Sequence, residues 1–147
     1  MLPNLVLAGA PKSATSSIYD WLASHPQTCA SEQKEPFYLM EEGHPLINED
    51  TNYHTDGLSG YEELFSHCSS TADVVFEATT HYLYSQTAVD VLSRVEPVPH
   101  IVFSFRKPSE RVYSAFRFTK YTLARMTEDL SFAEYVARAR GEGQRSM

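Results

Sequence analysis

The chain is poor in cysteine, poor in cations over its first two thirds, and has no long apolar run. Its longest apolar stretches, such as Ile101–Phe105 with Ser104 inside, fall far short of a bilayer span, so no transmembrane helix is expected. Met1-Leu-Pro-Asn lacks a basic n-region and a small-residue cleavage site, so no signal peptide is expected either. That leaves a cytoplasmic protein if the chain is whole, or a segment of something longer. Two cysteines, Cys29 and Cys68, do not make a disulfide framework, and neither has a partner at metal-ligand spacing along the sequence. One bridge between them stays open. There is no internal repeat and no low-complexity tract. With 147 residues, 42% hydrophobic and 21% charged, the chain can bury the core of one compact domain, and residues 1–147 are read as a single one.

The net charge of −7 conceals an asymmetry. Residues 1–100 carry only Lys12, Lys34 and Arg94 against fourteen carboxylates; residues 101–147 carry nine Lys/Arg against five acids. An acidic surface repels polyanions and argues against broad nucleic-acid binding. A few placed cations and a basic stretch from Arg106 to Arg125 suit a small anionic ligand.

Leu5-Val-Leu-Ala is a short apolar run that stops at Gly9-Ala-Pro, and reads as a strand. Ile18, Trp21, Leu22 and His25 then recur at helical spacing up to Pro26. Residues 27–58 show no sustained period and read mostly as loop, followed by a short helix at Gly60–Phe65. Asp73–Glu77 reads as a second buried strand, and Ala88, Val91, Leu92 and Val95 mark a helix closed by Pro97. Ile101–Phe105 reads as a third buried strand. Pro108 suits the first turn of a helix with Val112, Ala115, Phe116 and Thr119 on one stripe, and a weaker helix spans Ser131–Ala139. Strands alternating with helices predict an α/β fold, a central parallel sheet flanked by helices. Ligands of such sheets bind at the strand C-termini.

Three segments carry chemistry. Ala10-Pro-Lys-Ser-Ala-Thr-Ser-Ser enters a helix N-terminus, where free N–H groups and the helix dipole attract an anion. Lys12 adds a charge; Ser13, Thr15 and Ser16 add hydroxyls. Ordinary helix capping by Ser13 or Thr15 is the plain alternative. The glycine and lysine spacing of a nucleotide-hydrolase loop is missing. Arg106-Lys-Pro-Ser-Glu-Arg-Val-Tyr-Ser114 places an arginine fork at a strand end and a hydroxyl off the apolar stripe of the next helix, which reads as a receptor for phosphate or equally as a structural arginine on backbone carbonyls. Gln33-Lys-Glu-Pro-Phe-Tyr holds Glu35, a carboxylate beside Lys34 that could act as a general base.

Together, in this order and spacing, the three segments resemble PAPS-dependent sulfotransferases with a P-loop-like nucleotide-binding architecture. The Lys34-Glu35-Pro36 element is most similar to the heparan sulfate branch, the N-deacetylase/N-sulfotransferase and 3-O-sulfotransferase type. Gly57-Leu-Ser-Gly-Tyr-Glu-Glu-Leu-Phe and Phe76-Glu-Ala-Thr-Thr-His-Tyr-Leu also resemble that family. The resemblance implies that Lys12, Ser13, Ala14, Thr15 and Ser16 bind the 5′-phosphosulfate and that Arg106 and Ser114 bind the 3′-phosphate. It makes Glu35 the base and Lys34 a cation near the sulfonyl group. The co-substrate would be PAPS, leaving as PAP, with no metal required. The acceptor would be a carbohydrate or small molecule carrying a hydroxyl or amine; an acidic N-terminal half fits poorly with a long sulfated polysaccharide.

Ala14 stands where the family usually has glycine, and Ala78 where the heparan branch commonly has lysine. His81 lies nearby as an alternative acid or base. The family domain is longer, so the chain is expected to lack its C-terminal segment, and a Golgi lumen location would follow if it belongs to a larger eukaryotic enzyme. Two rival readings are a degenerate, non-catalytic PAP-binding module and a small P-loop-like kinase. The sequence leaves the oligomeric state open.

Overall fold

The computed structural model describes residues 1–127 and 129–141. It divides into two compact units, residues 1–105 and the chain from Arg106 onward.

The first unit is built on a four-stranded parallel sheet: β1 (Leu5–Gly9), β2 (Thr28–Ala30), β3 (Val74–Glu77) and β4 (His100–Phe103), in the order β2-β3-β1-β4. Leu5 pairs with Phe76 on one side of β1 and with His100 on the other, while Cys29 pairs with Val75. All strands are parallel, so every C-terminus lies on one edge. From β1 the chain crosses to the far edge at β2, comes back to β3 beside β1, and then passes to β4 on the other side, which makes the end of β1 a topological switch point. The parallel sheet and its helical connections are those the sequence predicts.

Residues 27–58 are mostly loop, as the sequence predicts, but β2 falls there and α2 (Tyr53–Glu63) begins there, well before the short helix predicted at Gly60–Phe65. β2 is only three residues long, too short for a period to show, and α2 owes its start to a capping box between Asn52 and Thr55. α2 is kinked at Gly57, whose φ of 60° is easy only for glycine. The segment Thr80–Tyr84, unassigned in the sequence, forms a turn of 3₁₀ helix directly after β3. β4 is not buried: Ile101, Val102 and Phe103 are each about two-fifths exposed, because β4 is an edge of the sheet (41%, 38% and 41%).

α1 (Thr15–Ala23) follows β1, and α3 (Gln86–Leu92) follows the 3₁₀ turn with Ser85 capping the Ala88 N–H. The core gathers Val6 and Ala8 from β1, Tyr61 from α2, Val75 from β3 and Val91 from α3. Tyr38, Leu39 and Met40 join it from the loop after β2. Leu39 is pinned at both backbone groups. Its N–H donates to the Tyr82 hydroxyl at 3.1 Å, and its carbonyl accepts from Ser85 at 2.7 Å. Gly60 admits Tyr38, since a Cβ there would lie 2.2 Å from the tyrosine oxygen. The loop carrying Glu35 is thus anchored from its far end. Cys29 and Cys68 are joined as a disulfide, which ties β2 to the turn beyond α2.

In the second unit α4 (Pro108–Arg117) starts with proline in its first turn and continues through a π turn at Phe118–Thr122. α5 (Phe132–Ala139) is capped by a box between Ser131 and Glu134. Phe116 packs between Phe132 and Tyr135, with ring centroids 5.4 Å from each. Among the described residues no helix is long and apolar enough to cross a membrane.

Candidate active site

The loop leaving β1 is held at both ends. Ala10 N–H donates to the Ser104 carbonyl at 2.9 Å, and the Ser104 hydroxyl donates to the Ser13 carbonyl at 2.7 Å. Within it Lys12 and Ala14 take left-handed backbone angles, φ 65° and 62°. Ala14 occupies the N-cap of α1, and no side chain caps that helix. The capping alternative for Ser13 and Thr15 therefore falls. Ser13 is buried, at 2% exposure, and its hydroxyl has no hydrogen-bond partner. An uncapped helix N-terminus beside an unsatisfied buried hydroxyl is chemistry suited to an anion. Burial holds the Lys12 ammonium below its usual pKa; Glu35 opposes that shift and Lys34 adds to it.

The loop after β2 brings its charges to this helix. Lys34 Nζ donates to Ser16 Oγ at 3.0 Å, lies 3.7 Å from Glu35 Oε1, and sits 5.8 Å from the centre of the Tyr19 ring. The Thr80 hydroxyl, from the turn after β3, donates to the same Glu35 oxygen at 3.2 Å. Glu35 has a left-handed φ of 55°, although a following proline ordinarily favours an extended backbone. His81 is half-buried between Phe37 and His44, with ring centroids 5.5 and 6.2 Å away. Its Nδ1 is buried without a partner. Burial lowers the His81 pKa, Glu35 raises it in opposition, and His44 lowers it further.

Of the sequence-predicted residues, Lys12, Ser13, Ala14, Thr15, Ser16, Lys34, Glu35 and His81 thus come from the C-terminal edge of one sheet or the loops that follow it. Arg106 and Ser114 belong to the second unit. Arg106 is exposed and its Nε pairs with Glu110 at 3.1 Å; the strand it follows is an exposed edge rather than a buried strand. Ala78 is completely buried.

Sequence reasoning missed the group behind this edge. Glu77, the last residue of β3, is fully buried and accepts from Tyr61 at 2.5 Å and from Thr79 at 2.6 Å. Burial pushes its carboxyl up to about 7, against hydrogen bonds from Thr79, Tyr61 and Tyr82 that pull it down; nearby Glu35 pushes it further up. A carboxylate closing an apolar strand, followed by two threonines, was the available signal. A cavity of about 410 Å³ lined by Ile18, Trp21 and Leu22 opens instead at the N-terminal ends of β2 and β3. Asp73 is the carboxylate in its wall, so it does not suit an anion.

No protein-family model matches the chain. In fold it matches the crystal structure of a sulfotransferase from Alicyclobacillus acidocaldarius, with a TM-score of 0.73 and 25% identity over 98% of this chain and 59% of that one. The chain is therefore an α/β protein of sulfotransferase-like fold. Its curated relatives narrow the likeness. It is 28% identical over 117 residues to human bifunctional heparan sulfate N-deacetylase/N-sulfotransferase 3, which covers 79% of this chain and 13% of that protein. It is 25% identical over 126 residues to the membrane-associated sulfotransferase kil1 of Dictyostelium discoideum, covering 84% and 24%. The chain spans no more than a quarter of the length of these curated relatives. The sulfotransferase resemblance read from the motifs agrees with both comparisons.

Proposed function

We propose that this chain transfers a sulfonyl group from PAPS to a hydroxyl or amine of a carbohydrate or small-molecule acceptor. The observation that carries the reading is the meeting of Lys12, the uncapped start of α1, Lys34 and Glu35 at the sheet's switch point. In the transfer the acceptor oxygen or nitrogen bonds to sulfur while the bond from sulfur to the bridging phosphate oxygen breaks. Charge grows on that leaving oxygen, and in this reading Lys12 with the helix N-terminus offsets it. Ser13, Thr15 and Ser16 add hydroxyls to the same cradle. The acceptor's proton goes to Glu35. Lys34 and Thr80 both contact Oε1, which leaves Oε2 as the oxygen to receive it. His81 stands beside Glu35 as an acceptor contact or alternative base. Arg106 and Ser114 are assigned to the 3′-phosphate on their motif alone.

The Cys29–Cys68 bridge favours an oxidising compartment, such as a secretory lumen, over the cytoplasm. A non-catalytic PAP-binding module is the second reading, favoured by Ala14 at a left-handed position and by the buried Ala78 where a cation is expected. Calorimetry with PAP and with ATP, each with and without magnesium, separates the donor classes. Tight binding of PAP without metal supports the proposal, and magnesium-dependent ATP binding in its place overturns it. Sulfonyl transfer to a panel of hydroxyl and amine acceptors then decides between enzyme and binding module.

A further inference from the structure

His67 stands against the Cys29–Cys68 bridge with no evident task there. Its Nε2 lies 3.6 Å from Cys29 Sγ and 3.8 Å from Cys68 Sγ. A disulfide has no proton to donate and its sulfurs are weak acceptors, so the bridge gains little from this imidazole. Among the described residues these three side chains form a group whose ligand atoms all lie within 4.8 Å of one another. The sequence concealed it: Cys29 and Cys68 stand 39 positions apart, and β2 brings the first to the turn holding the other two.

The spacing fits a metal. A tetrahedral zinc with Zn–N near 2.0–2.1 Å and Zn–S near 2.3 Å sets nitrogen and sulfur about 3.5–3.6 Å apart. Both nitrogen–sulfur distances here are already within a few tenths of an ångström of that edge. The two Cα atoms, 5.8 Å apart, are close enough for both sulfurs to reach one ion. His67 is exposed, so a fourth position opens to water.

We propose that reducing the Cys29–Cys68 bridge converts this corner into a site for zinc or a similar soft divalent metal, held by two thiolates and the imidazole of His67. In the reduction a dithiol gives two electrons and two protons to the bridge and closes to a disulfide itself, leaving two thiols on the chain. Metal binding then releases both thiol protons and takes Nε2 of neutral His67 as its third ligand. A disulfide oxidant takes up the two electrons through thiol–disulfide exchange, leaves as its dithiol, and re-forms the bridge with release of the ion. The site is separate from the sulfonyl-transfer residues and does not depend on that reading.

The test uses the full chain reduced with a phosphine, freed of excess reductant, and titrated with cobalt and then zinc. The expected result is one cobalt per reduced chain, with thiolate-to-cobalt charge-transfer and tetrahedral ligand-field bands that zinc abolishes. The oxidised chain shows neither. Cys68→Ser loses the bands, and His67→Ala binds cobalt more weakly by at least about tenfold. Circular dichroism runs alongside: where the reduced, metal-free chain loses structure, zinc restores it in the wild type and not in His67→Ala. The proposal is overturned by a reduced wild type that takes up no cobalt and is not refolded by zinc. It is equally overturned by a His67→Ala chain that binds cobalt as tightly as the wild type.

Discussion

β1 and β4 are neighbours in one sheet, and their sequences are both apolar, Leu5-Val-Leu-Ala against His100-Ile-Val-Phe. Their surroundings differ. Val6 and Leu7 are wholly buried, while every residue of β4 is exposed. Composition made each a strand; place in the strand order set its burial. The two segments that follow these strands, proposed above to bind an anion, inherit that difference. The loop after β1 is fixed by backbone contacts to Ser104 and carries a buried, unsatisfied hydroxyl, whereas Arg106 after β4 is exposed and paired with a surface glutamate. A loop pinned to the sheet and an exposed, ion-paired arginine are different surroundings for a cationic segment.

The largest expected effect tests the β1 side. Glu35→Gln keeps the shape, leaves PAP affinity nearly intact and lowers the transfer rate by about 10²–10⁴, the usual contribution of a positioned base. His81→Ala does much less. A pair with the reverse behaviour moves the base to His81 and takes Glu35 out of the chemistry.

Next comes Glu77 on β3, the other neighbour of β1. Its carboxyl is raised from 4.5 to about 7 in the folded chain, so folding favours the protonated form. Its stabilisation is complete below the unfolded value of about 4.5 and is lost as pH rises through about 7, a change of about 3 kcal/mol. Denaturant midpoints between pH 5 and pH 8 should fall accordingly, and Glu77→Gln should flatten that part of the profile. An unchanged profile in the mutant would show that another group carries it.

The comparison of the two anion segments is sharpened by paired mutants. Lys12→Ala should weaken PAP and adenosine 5′-phosphosulfate alike, by roughly 1.5–3 kcal/mol, because both carry the 5′-phosphosulfate position or its phosphate. Arg106→Ala should weaken PAP far more than the ligand lacking a 3′-phosphate. Equal losses in Arg106→Ala would assign that arginine to the fold of its own unit. Thermal stability should barely move in this mutant, since the exposed Arg106–Glu110 pair contributes at most about 1 kcal/mol.

The smallest effect is at Ala14. Its φ of 62° is one that glycine adopts freely, so Ala14→Gly should stabilise the chain by about 1 kcal/mol or less, read as a raised melting temperature. A lowered one would mean that the alanine methyl makes contacts worth more than the strain.

Much of the first unit was legible in the sequence. β1, β3 and β4 are apolar runs bounded by glycine, proline or polar residues, and α1 shows its period through Ile18, Trp21 and Leu22. The Lys12 and Glu35 segments were legible as motifs because their residue types declare a charge requirement. β2 was not, since three residues carry no period and their pairing with β3 is non-local. The 3₁₀ turn was hidden for a related reason: Thr80 and Tyr82 are fixed by Glu35, Glu77 and Leu39, and no local rule brings those together.

The sequence by itself determined that the chain forms strands alternating with helices, and that an anion-seeking loop leads into the first helix. Short-range physics suffices for that: side-chain period, turn residues and the dipole of a helix end. Only the tertiary structure decided which strand lies inside the sheet and which at its edge, and that Cys29 meets Cys68. It also decided that Glu77 is sealed among hydroxyls while Glu35 stands beside Lys34 at the open edge. Those outcomes depend on strand order and on loops closing over tens of residues, so no window of sequence contains them.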